Sequence, residues 1–455
     1  MISSPLCSSG VFIAVMSFSE SYIFGISEPV LRFSDNYSIL SKPDNGEEIH
    51  IDPATIRHYF EIVPQIHFEV TEKCNFNCSY CGYGENYEQP EIRPLHTERF
   101  MSWDLAKLFI DQYIEIWKNQ KASRRIIVGF YGGEPLLNFA LIERIVNYLM
   151  ENSPRYITFI WTITTNGFLL KRHLEFLLQH QFNVDISIDG DSTADCYRVF
   201  HDGTPTFSYV IKNIDYLYEN YPEFFREHVS VQSVINHKVH VTDVVTFFKE
   251  RYGIMPKIIE LSRINLCRNS LIDSIYRNVK NDLECSYEED KRLFDKYKID
   301  SPFTSRLTGI IRTFSPNIYG DYLDFFRLRD KEMTKDNFES ATCLPFSTRI
   351  FLTVPGYIFP CERVDFAHPL GLIQDGKINL NLEEISRMYT SLFMRLKKLC
   401  PTCLHHNNCH HCFMQDGCFD DNTIKCTDYQ KISPESIEER IEYLRSNSQY
   451  LSKLY

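Results

Sequence analysis

Six short apolar, β-branched runs recur between residues 65 and 262 and alternate with amphipathic stretches, a pattern few folds satisfy. The runs are Gln65–Val70, Arg125–Phe130, Tyr156–Ile163, Asn183–Ile188, His228–Ile235 and Pro256–Ser262. The intervals predict helices near 102–119, 136–152, 168–181, 206–220 and 239–250, with a further helical stretch near 280–298. Strands separated by helices of this length read as consecutive βαβ units around a parallel sheet. A polar or glycine-rich segment follows each of the first five runs. These are Cys74–Cys81, Gly132-Gly133-Glu134-Pro135, Thr164-Thr165-Asn166-Gly167, Ser187-Ile188-Asp189-Gly190 and Val234-Ile235-Asn236. Asn-Gly and Asp-Gly alone are everyday turn signals. Their common phase places them at one rim, the carboxyl ends of the strands, where barrel folds put their chemistry.

The first segment packs Cys74, Cys78 and Cys81 into eight residues with spacing C-x3-C-x2-C. Cubane iron–sulfur clusters are normally held by four cysteines, so three leave one iron open for chemistry. Zinc, the alternative, wants four ligands, and only His67 or His96 stands near enough in sequence to supply the fourth.

This triplet, with an aromatic residue before its third cysteine, resembles the cluster loop of the radical S-adenosylmethionine (SAM) enzymes. The resemblance implies an α/β fold, a partial (β/α)6 TIM-like barrel. It also implies a [4Fe-4S] cluster whose open iron binds SAM and, on one-electron reduction, releases a 5′-deoxyadenosyl radical. The Gly132–Pro135 motif matches the family segment that contacts the SAM amino group: Gly132 and Gly133 permit close backbone approach, and Glu134, followed by Pro135, accepts from an ammonium. Tyr197-Arg198-Val199 ahead of Gly203–Phe207 resembles a pattern in peptide-modifying members, which makes Arg198 the candidate partner of the SAM carboxylate. The alternative for Arg198 is a surface ion pair. By the same analogy Tyr80 lies near the adenine, and Asn166, Ser187 and Asp189 serve the ribose or the residues supporting it.

A second cysteine group follows: Cys343, Cys361, Cys400, Cys403, Cys409, Cys412, Cys418 and Cys426. It resembles the SPASM extension of radical SAM enzymes, a cysteine-rich iron–sulfur domain with two auxiliary [4Fe-4S] clusters. The match departs once, because two residues rather than three separate Cys409 from Cys412. By analogy Cys400, Cys403, Cys409 and Cys426 hold one cluster, and Cys343, Cys361, Cys412 and Cys418 the other, with the split of Cys412, Cys418 and Cys426 left open. A zinc ribbon is the alternative, since His405, His406, His410 and His411 crowd the region. Glu362 follows Cys361 where the related anaerobic sulfatase-maturating enzymes carry an aspartate base, so it is a candidate proton acceptor; the alternative is a carboxylate paired with Arg363 or a neighbour. Cys7, Cys196, Cys267 and Cys285 remain as ordinary small residues.

With 455 residues and 44% hydrophobic content, the chain can build a core without disulfides. Fifteen cysteines in so long a chain point to metal rather than a secreted disulfide scaffold. A net charge of −12 argues against a nucleic-acid binder with a basic surface. The apolar run Gly10–Met16 lacks a basic flank and is a poor signal peptide, and nothing approaches the length of a membrane span. A cytoplasmic protein without membrane association is expected. The expected divisions are an N-terminal region (1–62), the barrel (63–270), a connecting region (271–340), the SPASM domain (341–430) and a C-terminal helix (431–455). The N-terminal region shows strand-like runs at Ser21–Phe24 and Val30–Phe33 and a possible helix near 53–61.

The resemblance implies a maturase that crosslinks, oxidises or epimerises residues of a ribosomally made peptide. Cys361-Glu362-Arg363 and Leu370-Gly371 favour this over formylglycine formation on a sulfatase, the second expectation. A peptide or protein substrate and an external electron donor such as flavodoxin or ferredoxin are the implied partners. A non-catalytic zinc-bound peptide-binding protein is the reading of a different class. Anaerobic reconstitution is expected to load about twelve irons per chain, the sum for three four-iron clusters. Zinc in place of iron would remove the basis of the enzymatic expectation.

Overall fold

The structure is a computed structural model that describes residues 49–88, 97–261, 266–267, 271–297, 299, 302–303, 307, 310, 342–406, 409, 411–415, 426 and 429–447. The runs expected at Ser21–Phe24 and Val30–Phe33, most of 298–341, and His96, His410 and Cys418 lie outside the described residues.

All six expected strands are present: β1 (Gln65–Thr71), β2 (Arg124–Gly132), β3 (Ile157–Thr165), β4 (Asn183–Ser187), β5 (Val229–Val234) and β6 (Lys257–Ile259). They run parallel and neighbour one another in chain order. Helices Trp103–Gln120, Phe139–Asn152, Leu170–Gln179, Phe207–Asn220 and Val241–Tyr252 make the crossovers. The expected helix at 136–152 instead starts as a 3-10 turn, Pro135–Asn138, because the Glu134 side chain caps it. A separate short helix, Pro222–His228, follows the fourth, with proline in its first turn. The stretch at 280–298 is two helices, Val279–Glu289 and Lys291–Tyr297.

Four further strands were not expected: β7 (Ile350–Leu352), β8 (Tyr357–Phe359), β9 (Gly371–Gln374) and β10 (Lys377–Leu380). At three or four residues each they are too short to show a period. β7 pairs parallel with β1, and β8, β9 and β10 continue antiparallel. The outer edge of β1 is therefore taken by β7 and not by β6. The described strands form one ten-stranded sheet that ends in β6 and β10.

Side-chain alternation divides this sheet into two faces. Phe68, Val128, Phe130, Trp161, Ile163 and Ile186 are buried on the helix side. Phe68 meets Phe109 edge-on at 6.0 Å and stacks on Phe130 at 6.3 Å, joining the first helix to two strands. The opposite face carries His67, Glu69, Gly129, Tyr131, Thr162 and Asp185. Helix Pro53–Ile62 is tied to helix Leu382–Leu399 just before it starts, because Ile51 N donates to Thr390 Oγ1 and Ser386 Oγ donates to Ile51 O.

Register sets the two cysteine groups apart. Ile66 pairs with Ile350, and Phe351 with Phe359, so Cys361 lies level with Arg349 and Gln65 at the amino end of β1. Cys74 follows the carboxyl end, roughly 20 Å away along the strand. Because Phe68 fills the junction between helix and sheet, Phe68→Ala is expected to cost about 3–5 kcal/mol in chemical denaturation. A loss below about 1 kcal/mol would show that neighbouring side chains collapse into the space.

Candidate active site at the carboxyl ends of the strands

The end of β2 is pressed against the loop that carries the first cysteines. Gly133 N donates to Thr71 O at 2.8 Å and Glu134 N to Lys73 O at 2.9 Å. A Cβ on Gly132 (φ +135°) would sit 2.1 Å from Thr71 O, and one on Gly133 would sit 2.3 Å from Lys73 O. The close approach these glycines allow is thus to the chain's own backbone, where the sequence suggested a ligand.

That contact carries Glu134 beneath the loop, fully buried. Its Oε1 accepts from Leu136 N (3.0 Å) and Thr165 Oγ1 (2.7 Å), and its Oε2 from Asn166 N (2.7 Å). Burial pushes its pKa up to about 7, against these three donors. The Asn166 amide continues the network to Asn75 Oδ1 at 2.9 Å and Cys74 Sγ at 3.8 Å. Glu134, Asn166 and Cys74, three of the predicted residues from three strand ends, are thereby one connected unit.

A second network closes the other flank. Asp189 is fully buried and accepts from the Tyr80 hydroxyl, from Arg198 Nη2 (2.9 Å) and from Val234 N (2.9 Å). The Arg198 guanidinium lies 5.4 Å from the Tyr80 ring centroid. Arg198 is therefore in an ion pair, as its alternative had it, but a buried one. Burial opposes its charge, but Asp189, Tyr80, Cys78 and Asp195 outweigh that and hold its pKa well above the ordinary value. Asp195, not singled out in sequence, receives the Asp189 N–H (3.0 Å) and stands 3.6 Å from Arg198 Nε; burial and then Asp189 push its pKa up. Its i,i+3 spacing to Arg198 was the available signal. Ser187 ends β4 opposite Gln232.

Residues 197–201 hold the cysteine loop from outside. Asn77 N donates to Val199 O (2.7 Å), Ser79 N to Tyr197 O (3.1 Å), and His201 Nε2 lies 2.9 Å from Cys74 O. Phe76 packs edge-on against Phe200 at 5.1 Å.

The thiols are poised for a cation. Burial, then Glu134, pushes the Cys74 pKa far up. Burial pushes Cys78 up to about 12, with Arg198 opposing. Cys74 also feels Cys81 and Cys78, and Cys78 feels Cys81, so ionising them together requires a positive centre between them. Among the described residues no group of three or more His, Cys, Asp or Glu side chains stands arranged to hold a metal ion. The donor set and its neighbourhood nonetheless suit an iron–sulfur cluster at Cys74, Cys78 and Cys81.

Cys400, Cys403, Cys409 and Cys426 line one small cavity together with His405 and His406. Cys343, Cys361 and Cys412 converge electrostatically on the buried Tyr389, whose hydroxyl is pushed well up by burial and then by these thiols. Glu362 is clamped by Arg349, whose Nη1 donates to both carboxylate oxygens at 2.6 and 2.7 Å. Cys361 Sγ donates to it at 3.4 Å, and His67 Nδ1 stands 4.0 Å away. Burial raises the Glu362 pKa, but Arg349 and His67 overcome it and hold the carboxyl at about 2. So strong an acid takes up a proton poorly, which weighs against the expected proton-acceptor role. The partner that decides this, Arg349, was not legible because β7 and β8 were not.

Residues 68–245 match the model of the Radical SAM superfamily. Over 164 residues, 35% of this chain and 34% of the relative, the chain is 32% identical to a radical SAM cyclopropyl synthase, TigE, of Paramaledivibacter caminithermalis. Over 154 residues, 34% of this chain and 48% of the relative, it is 32% identical to an uncharacterized protein of Methanocaldococcus jannaschii. The chain thus spans about a third to a half of the curated relatives it matches. Its fold resembles that of anSMEcpe with bound AdoMet, at TM-score 0.56 and 18% identity, covering 86% of this chain and 100% of that one. It also resembles anSMEcpe with bound AdoMet and Cp18Cys peptide, at TM-score 0.54 and the same identity and coverage. Residues 68–245 thus match a Radical SAM superfamily domain within an α/β fold.

The Glu362 clamp sets a pH dependence. Its folded pKa of about 2 lies below the ordinary 4.5, so the unfolded chain binds the proton more readily. The stability it contributes is complete above about 4.5 and is lost as pH falls towards 2. Arg349→Met is expected to cost about 3–5 kcal/mol at neutral pH and to flatten this acid slope in denaturation measured across pH. An unchanged slope would show that Arg349 does not hold the carboxylate.

Proposed function

We propose that this chain is a radical SAM enzyme that modifies a peptide or protein, with a cluster at Cys74, Cys78 and Cys81 and auxiliary clusters in the second cysteine group. The observation that carries this reading is the single hydrogen-bonded unit joining Cys74, Asn166 and Glu134 at three strand ends. The bound cluster and SAM would supply hydrogen-atom abstraction from a substrate C–H bond.

Glu134 has about four acceptor positions and spends three on protein donors, leaving one for the SAM amino group. Arg198 and Asp189 hold the Tyr80 side of the loop and keep water from it. We assign Arg198 to that support rather than to the SAM carboxylate, because its charge is met by buried carboxylates. Cys400, Cys403, Cys409 and Cys426 would hold one auxiliary cluster; Cys343, Cys361 and Cys412, with Cys418, would hold the other. The second is at the opposite end of β1 from the first cysteines.

Of the finer readings, oxidation of a protein-borne Cys or Ser to formylglycine has the firmer support. The fold likeness to a protein holding AdoMet and a Cp18Cys peptide extends over the whole of that protein. Crosslinking, oxidation or epimerisation of a ribosomal peptide, favoured by the sequence, is supported by a relative matched over only about a third of its length.

With dithionite and SAM, 5′-deoxyadenosine formation is expected in the wild type, lost in Cys78→Ala, and kept in Cys285→Ala, whose cysteine is exposed and outside both groups. Formation that survives Cys78→Ala would refute the assignment of the cluster. Incubation with a synthetic cysteine peptide should then give an aldehyde that reacts with a hydrazide if formylglycine is the product, and no aldehyde if the peptide is crosslinked.

A further inference from the structure

We propose that the surface formed by Tyr209, Phe168, Phe200 and His201, flanked by Lys171 and Lys212, is the docking face for a small acidic electron-carrier protein. The inference rests on the enzyme reading above and deepens it by naming the partner of the Cys74–Cys81 loop.

Three sides of that loop are closed. Glu134 and Asn166 lie beneath it, and Tyr80, Arg198 and Asp189 are buried beside it. It reaches solvent at Asn77, between the first two cysteines, through His201, which is exposed and bonded to the carbonyl of Cys74, and again at Gly82 just past Cys81. The Asn77 and His201 side is the one that carries an aromatic surface for an electron carrier.

The aromatic residues here form a continuous set from loop to surface. Phe76 contacts Phe168 at 6.1 Å and Phe200 at 5.1 Å, and these contact Tyr209 at 6.0 and 5.4 Å. Tyr209 is 48% exposed, one of the few large exposed aromatics among the described residues. Lone exposed apolar residues need no explanation, but one that tops a cluster leading to a functional loop marks an interaction site.

Charge selects the partner. Lys171 and Lys212 are both exposed on this side. Lys212 stands one helical turn from Tyr209, and Lys171 Nζ sits 3.8 Å from the centroid of the Tyr216 ring on the same helix. Of the acidic groups at the border, Glu98 is paired with Lys73 (2.9 Å), whereas Asp202 accepts the Thr204 N–H (2.9 Å) and keeps its charge, so the two lysines outnumber one uncompensated carboxylate there. A lysine-flanked aromatic face on a chain of net charge −12 favours an acidic partner locally while the rest of the surface repels it.

The test uses the reconstituted enzyme with an acidic flavodoxin as probe. Its affinity is measured by calorimetric titration, and 5′-deoxyadenosine formation is compared with flavodoxin or dithionite as reductant. The double variant Lys171→Glu/Lys212→Glu, and separately Tyr209→Ala, are expected to weaken flavodoxin binding about tenfold or more and to slow flavodoxin-driven turnover. Both should leave dithionite-driven turnover and iron content at wild-type values, which excludes misfolding. Binding by the wild type should also weaken with added salt. Equal affinity of variants and wild type, or no binding by the wild type, overturns the proposal. Failure of dithionite-driven turnover in the wild type would instead overturn the enzyme reading, and the titration would still report on the face.

Discussion

Everything at the rim depends on one backbone contact, the packing of Gly132 and Gly133 against Thr71 and Lys73. No side chain fits there. Because β2 ends against the start of the cysteine loop, Glu134 is carried underneath it and the 3-10 turn begins at once. The buried carboxylate then gathers donors from the end of β3, and Asn166 reaches on to Cys74. A carboxylate in so dry a place is costly unless its acceptors are occupied. Its three donors explain how the site tolerates it, and burial explains why its pKa still stands near neutrality.

The same economy recurs in the other buried charges. Asp189 takes a hydroxyl, a guanidinium and a backbone amide, so that Arg198 can be enclosed beside the thiols. Glu362 takes a bond from Arg349 on each carboxylate oxygen and a longer one from Cys361 Sγ. In each case removing one partner would strand the other, which makes these pairs rigid supports rather than mobile acids and bases. The candidate base Glu362 illustrates the cost: the clamp that allows it to be buried beside Cys361 also makes it a weak proton acceptor.

The repeating architecture was legible because parallel strands buried against helices advertise themselves as apolar runs of five to nine residues. β1 through β5 and their crossovers follow that signal, and so does the identity of the loops at the rim. The pairings across the rim were not legible. Asp195, His201 and Arg349 were not singled out, because which of their neighbours each one meets is set by the fold: Asp195 receives the Asp189 N–H, Arg349 clamps Glu362 across β7 and β8, and His201 lies against the distant Cys74 carbonyl. β7 to β10 escaped notice because three or four residues hold no period, and with them went the fact that the second cysteine group is joined to the first through β1.

By itself the sequence determined the parallel βα repeat, the cysteine spacings and the order of polar segments at the strand ends, since these are local patterns of hydrophobicity and residue type. Tertiary structure alone decided that the glycines lie against the Thr71 and Lys73 backbone, that Arg198 and Glu362 face buried partners, and that Cys361 lies at the opposite end of β1 from Cys74. The physical reason is that register and burial are properties of paired elements. A buried charge is defined by what faces it, and no local pattern along one chain says which distant segment that is.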